Sequence, residues 1–216
     1  MIPCDPTCPV TTYQELTARG TPSQYHRYEG RFSFHSLFIT GAGFVIWRGH
    51  SPTEVTDSEY RVLSAYTAEK LVGKERAGQI VIFDETPETP QGMAALNNVP
   101  RLIHSQVYRA FLDANLHPGS FHRSFTLPVP YQIVTTSEMR PIFGTPGDFW
   151  GRYYEKYPHS TGLLKMSRVG FDSDGNQAAF YISNSCGGLC GAGYFVIMEK
   201  VDSNWKVVQE VQVWVS

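Results

Sequence analysis

The sequence predicts an α+β fold in which an antiparallel meander sheet near the C-terminus carries about three helices packed on one face. Three observations predict it. Helical spacing of apolar residues dominates up to Pro158 and two-residue alternation dominates after it. Turn-forming residues (Asp172-Ser-Asp-Gly175-Asn and Asp202-Ser-Asn204) separate the alternating runs, as hairpin connections do. A chain of 216 residues is long enough to bury one substantial core, and nothing in it reads as a linker between two.

Residues 1–30 are rich in Pro, Thr and Tyr with little periodicity and read as a loosely ordered N-terminal arm, leaving 31–216 as a single domain. Within that domain, 31–40 and 44–47 read as strands. Thr56 or Asp57 is placed to cap a helix carried by Val62, Ala65, Tyr66 and Leu71 as far as Val72. Gln79 to Asp84 is a short apolar strand, and the proline-bearing stretch from Glu85 to Asn98 reads as a surface loop. His104 to Leu116 is a second helix, stopped by Pro118-Gly119. Three prolines between Phe121 and Phe143 argue for extended pieces, of which Gln132 to Thr135 is the best strand. From Asp148 to Tyr157, Trp150, Tyr153, Tyr154 and Tyr157 recur at helical spacing, and this aromatic stripe reads as core packing with Trp150 and at least one of Tyr153 and Tyr154 buried against the sheet.

The composition excludes several classes. A net charge of −2 leaves no electrostatic footprint for nucleic acid or an anionic membrane. With 18% charged and 13% aromatic residues, the chain should bury a core beneath a neutral surface and is not of the disordered type. No apolar run approaches the roughly 20 residues of a spanning helix. Met1 to Cys8 lacks the basic start and apolar centre of a signal peptide. The expected location is therefore extracytoplasmic (periplasmic or secreted) if a leader has been removed, and cytoplasmic otherwise.

The 4 cysteines fall in two pairs of identical spacing, Cys4/Cys8 and Cys186/Cys190. Pairing as disulfides, within each pair or between them, is the first reading. In that reading Cys186 and Cys190 latch the glycine-rich loop Cys186-Gly-Gly-Leu-Cys190-Gly-Ala-Gly193, whose glycines allow backbone angles that other residues resist. The alternative is a metal site of Cys4, Cys8, Cys186 and Cys190 holding zinc, although zinc pairs are usually separated by two residues and these by three.

Other chemistry is sparse. Asp84 and Glu85 end an apolar strand, a common place for an acid/base carboxylate and also for a simple strand cap. His159 is the long-range imidazole nearest in sequence to the cysteine loop. Asp84, Glu85 and His159 are thus the catalytic candidates. Cys186-Gly is similar to the Cys-Gly pair of papain-like peptidases, but every histidine precedes Cys186, which inverts that family's order. The binuclear copper loop of cytochrome oxidases also spaces its cysteines by three residues, but it needs histidine where this chain has Tyr194. No cofactor motif is present, and the glycine pattern precedes a strand where a dinucleotide fingerprint requires a helix.

Ser167-Arg-Val-Gly-Phe171, Cys186-Gly-Gly-Leu-Cys-Gly-x-Gly193, Trp205-x-Val207 and Trp214-Val-Ser216 together resemble the C-terminal signature of an uncharacterised bacterial protein family. The likeness covers about the last third of the chain and implies no activity. The meander with its Asp-Ser-Asn-Trp turn is also similar to the sheets of NTF2-like and cystatin-like domains, which host small enzymes and binding modules alike.

Three functions remain. The first is a non-enzymatic, extracytoplasmic binding domain whose partner is a protein or a small-molecule ligand. The second is a small hydrolase or lyase with an acid/base pair in an NTF2-like pocket. The third is a zinc-stabilised structural protein.

Overall fold

A capping box starts the first helix. The Thr56 hydroxyl accepts from the Glu59 backbone N–H at 3.4 Å, and the Glu59 carboxylate accepts from the Thr56 N–H at 2.8 Å, so two of the donors a helix start leaves free are satisfied reciprocally. The computed structural model describes residues 54–72, 78–87, 93–122 and 124–216, within the unit His50–Ser216. The arm expected over 1–30, the strands expected at 31–40 and 44–47, the start of the expected domain at 31, and Cys4 and Cys8 lie outside the described residues.

From that cap α1 runs over Asp57–Thr67 and continues as a π-turn over Ala68–Val72. β1 (Gln79–Phe83) follows. A 3₁₀ turn at Met93–Asn98 leads to α2 (Pro100–Ile103) and α3 (Gln106–Asn115), the last capped by Ser105. β2 (Tyr131–Val134), α4 (Thr136–Phe143) and α5 (Phe149–Lys156) come next. Five strands complete the chain: β3 (Ser160–Met166), β4 (Gly170–Phe171), β5 (Gln177–Gly187), β6 (Cys190–Val201) and β7 (Asn204–Val215).

All seven strands join one sheet in the order β2-β1-β3-β5-β6-β7, with β4 also on β5. The C-terminal strands pair antiparallel. The sheet as a whole is mixed, because β1 lies parallel to both β2 and β3. This corrects the expectation of a purely antiparallel sheet, and the reason is visible in Ile80-Val81-Ile82. That run is apolar without alternation and buried throughout, as a strand must be when both of its faces are covered. Helical connections before β2 and before β3 supply the crossovers that parallel pairing needs.

Alternate residues of the same strands enter different cores. Ile80, Ile82, Phe180, Ile182, Val196 and Met198 pack with Tyr60, Leu63 and Tyr66 of α1. Val81 and Leu163 pack with Met139 and Ile142 of α4 and Tyr153 of α5. Tyr181, Phe195 and Ile197 pack with Leu96, Leu102, Val107 and Phe111. Helices therefore are not confined to one face, the second departure from the expected layout.

Two local readings also change. α4 forms where three prolines suggested extended chain: Thr135 and Glu138 build a second capping box, and Pro141 sits inside the helix. Proline there has no N–H to offer the Ser137 carbonyl, but Ser137 is exposed and water can take that place. In α5 Tyr153 is fully buried, as expected of one of the two tyrosines, but Trp150 is only half-buried and packs edge-on to Tyr153 with ring centroids 5.3 Å apart. Tyr153→Ala is expected to cost about 3–5 kcal/mol in urea unfolding, as for other buried aromatics, and Trp150→Ala clearly less. Equal losses would show Trp150 to be the core residue after all.

Candidate functional site

The β5–β6 hairpin ends in the glycine-rich loop singled out in the sequence. The ladder is registered from Gln177↔Glu199 to a last pair, Gly187↔Cys190, with a bulge between Ser185 and Gly187. Gly188 and Leu189 make the turn, and Cys186 and Cys190 sit at disulfide distance, their Cα atoms 5.0 Å apart. Of the pairings left open by sequence, the local one is formed. Two sulfurs bonded to each other offer no thiolate to zinc.

The loop glycines serve a different purpose from the one expected. None of Gly187, Gly188, Gly191 and Gly193 has a positive φ. A Cβ on Gly193 would instead run into the indole of Trp214, and one on Gly191 would press on the same ring. Trp214 lies along β6 because those two residues lack side chains, and its Nε1 donates to the Tyr181 hydroxyl at 2.7 Å. On the other side, the Tyr154 hydroxyl of α5 donates to the Cys186 carbonyl at 2.8 Å. The loop is therefore braced by two aromatic residues, with Leu189 at its apex 90% exposed. Val215, paired to Ala192 a few residues back along β6, is 69% exposed.

Asp84 and Glu85 lie at the C-terminal end of β1. The Asp84 N–H donates to the Val134 carbonyl at 2.9 Å, and its carbonyl accepts from Phe121 at 2.7 Å. One oxygen of its carboxylate, Oδ1, is buried with no hydrogen-bond partner. Burial first, and then the charge of Glu85, push the Asp84 carboxyl above its ordinary range. Glu85 is exposed and bridges to Ser120.

His159 sits at the other end of the same strand, where its carbonyl accepts from Gly78 ahead of β1. Five residues of strand separate the two ends, roughly 16 Å at the usual rise. The structure thus brings Asp84 and Glu85 together and leaves His159 apart from them. Among the described residues no group of three or more His, Cys, Asp or Glu side chains is placed to hold a metal ion.

Comparison of the chain with protein-family models, curated proteins and solved structures returns no match.

Sequence reasoning missed the most connected polar group among the described residues. Arg168, between β3 and β4, donates from Nε to Glu59 Oε1 at 2.7 Å and from Nη2 to Glu59 Oε2 at 2.9 Å. Both side chains are nearly buried. Glu59 also accepts from the Val169 N–H at 3.0 Å, and the Arg168 N–H donates to Asn115 Oδ1 at 3.0 Å. The available signal was an arginine set between the apolar runs of two strands, which if buried requires an acid from elsewhere in the chain.

Burial alone would raise the Glu59 carboxyl. Hydrogen bonds from Arg168, Thr56 and Val169, with the guanidinium charge, outweigh it and hold the group below the ordinary carboxylate range. A depressed acid contributes stability that is present above its unfolded value, 4.5, and lost as pH falls through the folded one. Stability should therefore fall as pH drops below that value, and Glu59→Gln should remove this part of the acid loss. At neutral pH the same variant should cost about 3–5 kcal/mol, because it removes the counter-charge of a nearly buried guanidinium. Urea titrations across pH measure both; an unchanged acid limb would remove Glu59 from this role.

Asp84 has the opposite sign. Its raised carboxyl favours the folded state below the unfolded value, 3.8, and that contribution is lost as pH rises through the folded value. Asp84→Asn is thus expected to raise the Tm at pH 7 and leave it nearly unchanged near pH 3. A lower Tm at pH 7 would show the carboxylate to be held by partners.

Proposed function

We propose that this chain is a non-enzymatic extracytoplasmic binding domain that engages a partner protein through the tip of the β5–β6 hairpin. The observation that carries the reading is Leu189, 90% exposed at an apex closed on both sides by bonded cysteines. Tight hairpin turns favour Gly, Asn and Asp, so leucine brings no benefit to the turn itself. Its fixed projection supplies an apolar anchor whose ordering cost is already met before binding. Small ligands need a concave site that buries most of their surface, and a side chain that is 90% exposed supplies none. A protein with an apolar cleft is the partner that fits. An oxidising compartment is proposed with it, since that is where disulfides form and persist.

A second reading, a small hydrolase or lyase, draws on Asp84, whose buried unpartnered oxygen and raised carboxyl suit a general acid or base. Its companion would be Glu85 and not His159.

Capture on immobilised protein, from the extracytoplasmic fraction of the source cells, tests the first reading. A defined protein should be retained by the native chain and by Leu116→Ser, a control at another exposed leucine, and lost with Leu189→Ser. Retention indifferent to Leu189, or no specific retention, overturns the binding reading. A turnover abolished by Asp84→Asn and untouched by Leu189→Ser would install the second in its place.

A further inference from the structure

We propose that the Cys186–Cys190 disulfide is a reversible redox site, opened by a dithiol reductant in the folded protein and reclosed without rearrangement. The hairpin does not need the bond to stay closed. The backbone ladder holds β5 and β6 in register up to Gly187↔Cys190, the pair at which the bond sits. A bond that closes so short a loop removes little entropy from the unfolded chain, so its loss should leave the fold standing. The backbone around it is anchored independently, through the Tyr154 hydroxyl on the Cys186 carbonyl and Asn184 Nδ2 on the Thr161 carbonyl at 2.8 Å. Once reduced, the two thiols would remain on paired strands, with no search required for reclosure.

Access favours the same conclusion. Both cysteines are partly exposed, Leu189 points away into solvent, and a Cβ on Gly188 would meet nothing within 4 Å. The hairpin contributes no activating group of its own, because the sequence from Gln177 to Met198 contains no Lys, Arg or His. The attacking thiolate must therefore come from the reductant, and the site is a substrate of thiol–disulfide exchange, not its catalyst.

The step balances as follows. A thiolate of the dithiol attacks one cysteine sulfur, forming a mixed disulfide, and the S–S bond breaks to release the other cysteine as a thiolate. The second thiol of the reductant, deprotonated, displaces the first cysteine and leaves the reductant as its own disulfide. Two electrons and two protons have then passed to Cys186 and Cys190. The consequence for function, a slackened tip and weaker anchoring through Leu189, rests on the binding reading; the redox step does not.

The test uses the full chain without a partner, so it fails or succeeds independently of that reading. Native protein is incubated with dithiothreitol, alkylated, and mapped for the peptide holding Cys186 and Cys190. Both residues should be modified without denaturant, with the far-UV circular dichroism unchanged and the Tm lowered by only a few degrees. Oxidised glutathione added before alkylation should return both to the protected state within one chain. Resistance to reduction until denaturant is added, loss of secondary structure on reduction, or reoxidation only between chains would each overturn the proposal. Cys186→Ser/Cys190→Ser separates the bond from the reagent: it should fold with the Tm of the reduced chain, and failure to fold refutes independence of hairpin and bond.

Discussion

The ion pair between Glu59 and Arg168 fixes the rest of the architecture. It joins residues 109 apart in sequence, and each member is tied into a second element. Glu59 is also the third residue of α1, closing its capping box. Arg168 lies in the break between β3 and β4, where its backbone N–H is held by Asn115 at the end of α3. Removing such charges from water is expensive, so the pair is weak evidence for stability in itself. Its geometry supplies specificity, because a guanidinium fork accepts a carboxylate in only a few arrangements. Once the fork is met, the N-terminus of α1, the C-terminus of α3 and the course of β3 into β4 are set relative to one another.

The neighbours of Arg168 complete that junction. The Ser167 hydroxyl accepts from the Tyr181 N–H at 2.8 Å and its own N–H donates to the Tyr181 carbonyl at 2.9 Å, so the strand break is stitched to β5 beyond the last ladder pair. Val169 donates to Glu59. A Cβ on Gly170 would collide with the backbone of Ala110 and Phe111, so α3 rests directly on β4 because that residue is glycine. Four consecutive residues thus have four separate tasks. The signature Ser167-Arg-Val-Gly marks a packing junction, and no chemistry has to be assigned to it.

Much of this was legible locally. The cap at Thr56 or Asp57, the apolar stripe of α3 and the alternation of the C-terminal strands are short-range signals, and each produced its element within a few residues. Cysteine spacing pointed to the latch for the same reason. What could not be read depends on contacts distant in sequence. Parallel pairing of β1 was hidden because an unbroken apolar run does not say which strands flank it. Gly191 and Gly193 of the hairpin were assigned to backbone freedom when their role is to admit Trp214, a residue over twenty positions away. Trp150 and Tyr153 share a helical face, and only the packing of Val81, Ile142 and Leu163 decides which ring goes inside.

The two ends of β5 show how these constraints bear on function. Near its start and middle the strand is stitched to Ser167 and sandwiched between cores on both faces. Toward Gly187 burial falls away and the residues are partly exposed. Charge is absent there as well, since Gln177 to Met198 contains no Asp, Glu, Lys or Arg. The hairpin itself therefore offers no charge, and under the proposed binding role recognition at the tip would rest on shape and apolar burial. Selection by shape requires a surface that holds its shape. The braces from Tyr154 and Trp214, the ladder and the disulfide supply that at the far end of a strand whose other end is fixed through Arg168. The rigid junction and the exposed leucine are then parts of one arrangement, in which the scaffold at one end of β5 and the braces at the other hold a single uncharged, exposed side chain at the turn.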